Sequence, residues 1–463
     1  MKIKLNTEHR IRLSDTFTPV ELYLKLRDQY SKAFLLESSD NKNKENSFTY
    51  ICLETIASIK VEQEITEIKY PNIDSEFLKT ADINIADKIN EFTQSFDSKN
   101  LEYNFATNGL FGYTSYDAIP LFDDIQFKKT SSKTPLIQYD VFKYILVFNH
   151  FNNELHLIEN LIGEEKSKLN DLESIINNQS TPKFTFSTVE KEISNLTNKE
   201  YLTQIEKGVE HCRVGDVFQI VLSRKYEQKF KGDDFNVYRA LRSVNPSPYL
   251  FYFDYGDFKI FGSSPEAQLV IENNKATINP IAGTFKRTKN DELDNKLAEE
   301  LRNDPKENAE HVMLIDLARN DLSKSGKNVT IDSYKKIEYY SHVIHLVSKV
   351  SAELPKKYNP LQILGETYPA GTLSGAPKHK AMQLIDNLEN TNRGFYGGTV
   401  GYIGFNGKFN HAIFIRSFVS QKNKIRFQAG AGITVKSNPQ SELEETENKL
   451  SALRCSIQMA KNI

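Results

Sequence analysis

The chain has 463 residues, a length that suits roughly two to four domains or one large interleaved body. Its 59 Lys and Arg residues nearly balance 61 Asp and Glu residues, which argues against nucleic acid or an anionic membrane as a partner. No apolar run approaches the roughly 18 residues of a membrane span. The three cysteines lack metal-ligand spacing, which predicts free thiols and a cytoplasmic location.

Residues 1–175 are predicted to form an N-terminal region in which short strands alternate with helices. The segment Thr18-Pro19-Val20-Glu21 has the pattern of a capping box and predicts a helix to about Tyr30. An apolar strand is predicted over 33–38, and residues 56–100 are predicted to be charged surface. Another strand is predicted from residue 108, and a hairpin over 139–149 and 154–159.

Residues 165–199 are polar, with 177–182 as the clearest linker, so a second region is predicted over 195–460. Helices are predicted there at 198–211, 292–302, 305–324, 376–390 and 439–459. Strands are predicted at 217–226, 250–254, 259–262, 268–272, 276–280, 397–405, 411–420 and 424–429. Because the strands mostly follow one another as meanders, we predict an α+β fold, a large interleaved β-sandwich of mostly antiparallel strands with helices packed outside.

Two predicted helix starts carry the same arrangement of acids. An Asp-Pro dipeptide precedes Glu307 and Glu310, and an Asn-Pro dipeptide precedes Glu442 and Glu445, so each glutamate pair shares one helix face. Acids near a helix N-terminus can simply oppose the helix dipole. Four such carboxylates also suit Mg²⁺, which takes few protein oxygens and leaves positions for water and an anionic ligand.

Glycine-rich segments supply candidate sites for that anion. Residues 280–284, 370–378 and 430–432 are predicted to be turns whose backbone N–H groups can approach negative charge. Arg416, predicted within a strand, can hold a carboxylate with two hydrogen bonds. The candidate substrate-binding residues are Gly283, Thr284, Tyr396, Arg416, Gly430, Ala431, Gly432 and Lys378. Together with the acidic pairs they predict a metal-assisted site for a small polyanion.

Ten segments in order resemble the chorismate-utilising enzymes, and among them the large subunits (component I) of anthranilate synthases. They include GDVFQIVLS (215–223), PIAGT (280–284), PAGTLSGAPK (369–378) and AIFIRS (412–417), with looser similarity at LLES (35–38). The resemblance implies that chorismate and ammonia are converted to anthranilate and pyruvate, the first step of tryptophan biosynthesis. It also implies Mg²⁺ as cofactor and a glutamine amidotransferase partner (component II) that delivers the ammonia.

The resemblance implies roles for individual residues. Glu266 matches the proton donor to the leaving hydroxyl, and His345 with Thr372 matches residues that assist pyruvate elimination. Gln219 stands where isochorismate and salicylate synthases have a lysine that activates water. Ala282 stands where aminodeoxychorismate synthases have a lysine. Ammonia is already a nucleophile and needs no such base, so both positions favour an anthranilate synthase.

A feedback site is implied in the N-terminal region. The family binds L-tryptophan as inhibitor at positions that match Glu37, Ser38, Pro248, Tyr249 and Leu250, although a buried strand that ends in polar residues explains LLES equally well. Two alternative functions remain: aminodeoxychorismate synthase component I of the folate pathway, and a non-catalytic binding subunit.

Overall fold

A computed structural model describes residues 2–38, 47–98, 101–129, 134–178, 180–288, 290–339 and 343–463, with only the backbone of residues 178 and 284. Parts of the predicted linker and the side chain of Thr284 therefore lie outside the described residues. The helices are α1 (Pro19–Leu26), α2 (Ile85–Gln94), α3 (Leu169–Asn178), α4 (Asn198–Arg213), α5 (Phe235–Val244), α6 (Asp291–Asn303), α7 (Pro305–Ser323), α8 (Pro360–Thr367), α9 (Lys378–Leu388) and α10 (Pro439–Met459).

The strands of the first part of the chain are β1 (Ile3–Leu13), β2 (Ala33–Ser38), β3 (Phe48–Val61), β4 (Ile65–Lys69), β5 (Glu76–Lys79), β6 (Phe96–Ser98), β7 (Gly109–Thr114), β8 (Ile137–Asn149), β9 (Glu154–Ile162), β10 (Phe186–Thr188) and β11 (Ile193–Ser194). Those of the second part are β12 (Gln219–Gly232), β13 (Tyr249–Asp254), β14 (Lys259–Ser264), β15 (Ala267–Glu272), β16 (Lys275–Ile278), β17 (Ile281–Lys286), β18 (Lys327–Tyr339), β19 (Val343–Glu353), β20 (Gly375–Ala376), β21 (Thr399–Gly404), β22 (Phe409–Ile413), β23 (Ser417–Gln421) and β24 (Lys424–Thr434).

The strands form two layers that share two long members, β3 and β8. The first layer has the order β6–β1–β9–β8–β3–β2–β13–β14–β23–β24–β12. The second has the order β5–β4–β3–β8–β7–β21–β22–β15–β16–β19–β18. Both β3 and β8 run through the two layers, and a register shift between Thr55 and Ala57 lies between their two parts. Apart from β1 with β6, these pairs are antiparallel, so the predicted α+β interleaved sandwich is confirmed.

Strands that are apolar on both faces form the interior. In β13, Leu250 and Tyr252 pack with the α5 side chains, whereas Phe251 and Phe253 pack between the layers. This alternation follows from the two-residue period of a strand. The space between the layers is rich in aromatic rings, and the stacked rings of Phe34 and Phe253 have centroids 4.2 Å apart. Each such burial contributes about 1.5–3 kcal/mol.

Both predicted regions contribute to both layers, because β2 pairs with β13 and β7 pairs with β21. The boundaries 1–175 and 195–460 therefore stay a prediction. Two expectations were wrong. Residues 56–100 contain α2, β4 and β5 rather than only charged surface, and the strand predicted at 411–420 is split into β22 and β23. None of the described helices has the length and apolar character that a membrane crossing requires.

Candidate functional site

The two acidic helix starts have the predicted caps. The Asp304 carboxylate accepts the N–H groups of Lys306 and Glu307 at 2.8 and 2.9 Å. At the start of α10, the Asn438 side chain accepts two N–H groups at 3.0 and 3.1 Å. These bonds satisfy N–H groups that a helix start leaves free, so they define where each helix begins. The glutamates consequently lie on the first turns of α7 and α10, as predicted.

The structure brings Glu307, Glu310, Glu442 and Glu445 into electrostatic contact, and we refer to these four as the carboxylate cluster. Burial, then repulsion by Glu310 and Glu445, raises the pKa of Glu307. Burial and the nearby Glu445 raise the pKa of Glu442, although Ser437 opposes the shift. The Oε2 atom of Glu442 is buried and has no hydrogen-bond partner among the described residues. A cation placed here would relieve this repulsion.

The chemistry of the carboxylate cluster fits Mg²⁺, although the described side chains do not form a ready-made cage. In the described ranges, no group of three or more His, Cys, Asp and Glu side chains is arranged to hold one metal ion. Mg²⁺ commonly uses only one or two protein carboxylates and completes its shell with water and substrate oxygens. The unpartnered oxygen of Glu442 and the mutual repulsion are the features that fit such an ion.

Glu266 lies between β14 and β15 and is poised to carry a proton. Burial raises its pKa to about 8, although the Thr372 hydroxyl and the charge of Lys449 oppose the shift. The Thr372 Oγ1 donates to Glu266 Oε1 at 3.2 Å. At neutral pH the carboxyl is therefore protonated, with Thr372 orienting one oxygen and the other left to hold the proton.

His345 is held by the backbone of the bulge in β17. Its Nδ1 lies 2.6 Å from the carbonyl oxygen of Gly283, which can only accept, so Nδ1 carries the proton and Nε2 is the basic nitrogen. Burial, with a smaller contribution from Arg416, lowers the pKa of His345, although the bond to Gly283 and the charge of Glu338 oppose the shift. Gly283 has φ +66°, and a β-carbon there would lie 2.5 Å from Leu301 and 3.1 Å from Glu307 Oε2. Glycine is therefore required to bring this loop against α6 and the carboxylate cluster.

The prediction that residues 430–432 form a turn was wrong, since they lie inside β24. Gly430, Ala431 and Gly432 pair with residues 223, 222 and 221 of β12. The Gly430 N–H binds the phenol oxygen of Tyr396, and its carbonyl accepts from Lys449 at 2.9 Å. Successive residues of a strand point their N–H groups to opposite sides. The Gly432 N–H therefore points away from β12, as the Gly430 N–H does, whereas the Ala431 N–H faces β12.

Close packing explains the glycines in β24. A β-carbon at Gly430 would lie 2.5 Å from the carbonyl oxygen of Leu222, and one at Gly432 would lie 2.5 Å from Gln219 Nε2. The same Nε2 donates to Glu310 at 3.4 Å, so the neutral amide of Gln219 lies between β24 and the carboxylate cluster. The role predicted for position 219 stays a prediction.

Arg416 lies at the crossing between the layers, not within a strand as predicted. It has φ +52° and follows β22 of the second layer just before β23 of the first. Its guanidinium donates to the backbone oxygen of Lys449 at 2.7 Å. Burial lowers its pKa, although Tyr396 and Glu445 oppose the shift, so all these groups are neighbours.

Lys378 is not brought together with the other candidates. Its ammonium group binds Asp321 and donates to the carbonyl oxygen of Thr367 at 2.7 Å. Asp321 lies three helical turns beyond Glu310 on α7, about 16 Å along the helix axis. Lys449, which the sequence interpretation missed, is the site lysine instead, since it also pairs with Glu445 at 2.7 Å. The sequence could have indicated this contact, because Lys449 lies four residues after Glu445 on a predicted helix.

The residues predicted to bind an inhibitor lie together across one ladder. Strand β2 pairs with β13 so that Glu37 faces Leu250 and Ser38 faces Tyr249, directly after Pro248. The Glu37 carboxylate accepts the Tyr238 hydroxyl at 2.5 Å and the Arg242 Nε at 3.0 Å. Both donors come from α5 and were not predicted, although their i,i+4 spacing places them on one helix face.

Comparison with known proteins agrees with this architecture. The sequence profile of a family described as chorismate binding enzyme matches residues 16–454. The chain therefore belongs to the chorismate-binding enzymes. It is 37% identical to anthranilate synthase component 1 of Aquifex aeolicus, over 97% of this chain and 94% of that protein. It is 36% identical to the component 1 protein of Saccharolobus solfataricus, over 96% and 98% of the two chains. The predicted resemblance to anthranilate synthase component I is thus confirmed.

Solved structures of other proteins match this fold. The crystal structure of anthranilate synthase component I from Streptococcus pneumoniae has a TM-score of 0.78 and 31% identity, and the match covers 88% of this chain and 92% of that one. The menaquinone-specific isochorismate synthase of Escherichia coli has a TM-score of 0.75 over 98% and 96% of the chains. At 19% identity, the latter likeness bears on the fold alone.

Proposed function

We propose that the protein converts chorismate and ammonia to anthranilate and pyruvate as component I of an anthranilate synthase. The observation that carries the proposal is the contact between Thr372 Oγ1 and Glu266 Oε1 at 3.2 Å, at a carboxyl whose desolvation raises the pKa to about 8 and keeps a proton available. Loss of a hydroxyl from chorismate requires such a donor. The relatives named above support an enzyme that aminates chorismate.

In the first step, ammonia adds to C2 of the ring while the hydroxyl at C4 leaves. Glu266 gives its proton to that hydroxyl, so that water departs, and Thr372 keeps the carboxyl in position. Arg416, the Tyr396 hydroxyl and the N–H group of Gly432 are the donors that we assign to one substrate carboxylate, while the Gly430 N–H holds the Tyr396 oxygen in place. In the second step, the bond from the ring to the enolpyruvyl oxygen breaks and the ring becomes aromatic, and the released enolpyruvate takes up a proton to become pyruvate. His345 Nε2 accepts the proton lost from C2, because its other nitrogen already donates to Gly283.

The carboxylate cluster is proposed to hold Mg²⁺, through Glu310 and Glu445 and, directly or through water, Glu307 and Glu442. When bound, the ion supplies positive charge to the ring carboxylate of the substrate and polarises the ring. The chain itself supplies the two capped helix starts of α7 and α10, which hold the four glutamates of the carboxylate cluster.

The nature of the nucleophile follows from two neutral side chains. Gln219 donates to Glu310 and offers no base to activate water, and Ala282 has no amine to attack the ring. We therefore assign ammonia as nucleophile, delivered from glutamine by an amidotransferase subunit. The test uses the purified chain with chorismate, Mg²⁺ and an ammonium salt, and it follows anthranilate fluorescence. A product that keeps the enolpyruvyl group would instead support an aminodeoxychorismate synthase.

Replacing His345 by methionine should separate the two steps. We expect chorismate still to be consumed while anthranilate formation falls about a hundredfold to ten-thousandfold, because the proton acceptor of the second step is missing. An aminated, non-aromatic intermediate should then appear by mass spectrometry. The matched control is His379→Met, since His379 also bonds a backbone oxygen, that of Asp124 at 3.0 Å, but lies outside the site. Normal anthranilate production by the His345 variant would contradict its assignment.

L-Tryptophan is proposed to bind beside the β2–β13 ladder as a feedback inhibitor. Glu37 lies there as a buried carboxylate that can accept an ammonium group, and the half-buried Tyr249 offers apolar surface for an indole, with Leu250 packed behind it in the core. The bonds from Tyr238 and Arg242 hold the carboxylate in a single orientation. Such pre-organisation reduces the ordering that binding must otherwise impose.

Replacing Ser38 by phenylalanine should abolish this inhibition and spare turnover. The added ring would fill the space beside Tyr249, and loss of one polar contact lowers affinity about ten- to a hundredfold. Because the chain contains no tryptophan, the emission of added L-tryptophan reports its binding directly. Ser38→Ala is the milder companion variant, which removes the hydroxyl without adding bulk. An unchanged inhibition constant in Ser38→Phe would place the regulatory site elsewhere.

A further inference from the structure

Arg393 lies buried between α9 and β21 and uses most of its hydrogen-bonding capacity. Its Nε and Nη2 donate to the two oxygens of Glu389 at 3.0 and 2.6 Å. Its Nη1 donates to the Leu373 carbonyl oxygen at 2.6 Å, and Nη2 donates to that of Val221 at 2.7 Å. The planar fork of an arginine suits this set of acceptors, whereas a lysine has a single nitrogen to share.

These contacts join separate parts of the site. Leu373 directly follows Thr372, whose hydroxyl orients Glu266, and Val221 lies opposite Gly432 in the β12–β24 ladder. The guanidinium carbon also lies 5.6 Å from the centre of the Tyr396 ring, within range of a cation–π contact. One buried side chain therefore contacts the loop that carries Thr372 and the ring of Tyr396, and through Val221 it contacts β12, the strand that pairs with Gly432.

The partner acid extends the same network. Glu389 Oε1 accepts the N–H and the hydroxyl of Ser223 at 2.9 and 2.6 Å. Ser223 Oγ in turn accepts from Gln428 at 2.7 Å, and Ser223 lies opposite Gly430. Arg393 and Glu389 are each only 4% exposed. Burying two charges costs so much desolvation that such a pair is a poor source of stability, and a role in holding one geometry explains it better.

We propose that Arg393 is a positioning residue for the reaction, which sets Thr372, Tyr396 and the glycine edge of β24 at fixed distances from one another. This proposal rests on the proposed function, since it assigns no chemistry of its own to Arg393. Without the guanidinium, the loop that carries Thr372 and strand β12, which pairs with Gly432, lose their common anchor. Tyr396 loses the charge beneath its ring at the same time.

The test compares Arg393→Lys with Arg27→Lys in the ammonium-dependent reaction. Arg27 is a matched control because its side chain is also buried and also pairs with an acid, Asp233, through two hydrogen bonds. Its guanidinium carbon also lies over an aromatic ring, 5.1 Å from the centre of the Phe235 ring. We expect Arg393→Lys to raise KM for chorismate and lower kcat, with kcat/KM down about tenfold to a hundredfold. Arg27→Lys should change stability but leave both constants within about twofold, since none of its contacts reaches the site.

A double-mutant cycle with Tyr396→Phe separates positioning from general destabilisation. If Arg393 acts through Tyr396, the combined loss in kcat/KM will be clearly smaller than the product of the two single losses. If Arg393→Lys does not fold, Glu389→Gln is used in its place. This change keeps the shape of the pair and removes the negative charge of Glu389. The same change in KM and the same non-additivity with Tyr396→Phe are expected.

Independent, multiplicative losses, or wild-type constants in the variant that folds, would overturn the role of Arg393. An unmodified chain that makes no anthranilate from chorismate and ammonium would instead overturn the proposed function. The two failures are therefore distinguishable.

Discussion

Glu266→Gln is expected to lower the rate of anthranilate formation by on the order of a hundred- to ten-thousandfold, the usual contribution of a general acid. Glutamine has the size of glutamate and can still accept the Thr372 hydroxyl through its amide oxygen, but it has no acidic proton to give. The rate is measured by fluorescence at saturating chorismate and ammonium. Glu272→Gln, at the exposed end of β15, is the control, because a surface ion pair such as the one with Lys408 contributes little.

The pH dependence tests the same assignment independently. Glu266 acts only while protonated, so kcat/KM should fall as pH rises through the pKa of about 8, with the concentration of free ammonia held constant. The residual activity of Glu266→Gln should lack this fall. A wild-type rate that stays constant from pH 6 to beyond about pH 9 would show that the proton comes from another group.

Stability should respond to pH in a corresponding way. Burial raises the pKa of Glu266 from 4.5 to about 8, so between these values the folded state binds more protons than the unfolded state. The free energy of unfolding therefore decreases as pH rises through this window, and the decrease should be smaller in Glu266→Gln. Denaturant unfolding at pH 6 and pH 9 measures the difference. This readout does not depend on catalysis and also reports whether the variant is folded.

Glu310→Gln and Glu445→Gln are each expected to reduce turnover at least about a hundredfold, because a neutral amide cannot balance the charge of Mg²⁺. The same variants should bind Mg²⁺ more weakly by calorimetry, which is a readout separate from activity. Removal of the charge of Glu310 should also lower the pKa of Glu307, and removal of that of Glu445 should lower the pKa of both Glu307 and Glu442.

Glu444→Gln provides the matched control for these two variants. Glu444 is adjacent to Glu445 on α10 and is likewise exposed, but among the contacts described it bonds only the side chain of Gln440. Its replacement should leave both turnover and Mg²⁺ affinity unchanged. Normal turnover in both cluster variants, or an equal loss in Glu444→Gln, would contradict the assignment of the metal to this site.

Local chemistry explains which features were predictable. The caps at Asp304 and Asn438 depend on residues at most three positions away, and the structure has the hydrogen bonds that the sequence predicts. Alternation in β13 likewise follows from a period of two residues. The identities of Gln219 and Ala282, which distinguish the proposed nucleophile, can be read without any coordinates.

Long-range packing explains the errors. Small residues at 430–432 suggested a turn, but they are small because β12 and Gln219 approach β24 closely. The segment around Arg416 suggested one continuous strand because its residues are mostly apolar. It is broken because β22 belongs to one layer and β23 to the other, and the chain must cross between them.

The sequence by itself determined the helix starts, the spacing of the four glutamates and the neutral side chains at positions 219 and 282, because each depends on neighbouring residues or on a single identity. Only the tertiary structure decided that Glu266 meets Thr372 across 106 positions of the chain, and that Lys378 binds Asp321 instead of the substrate site. Burial of Glu266 is likewise a property of the assembled layers. The proton that the proposed reaction needs is therefore retained by the fold, since water around an exposed carboxyl would let it ionise at its ordinary pKa.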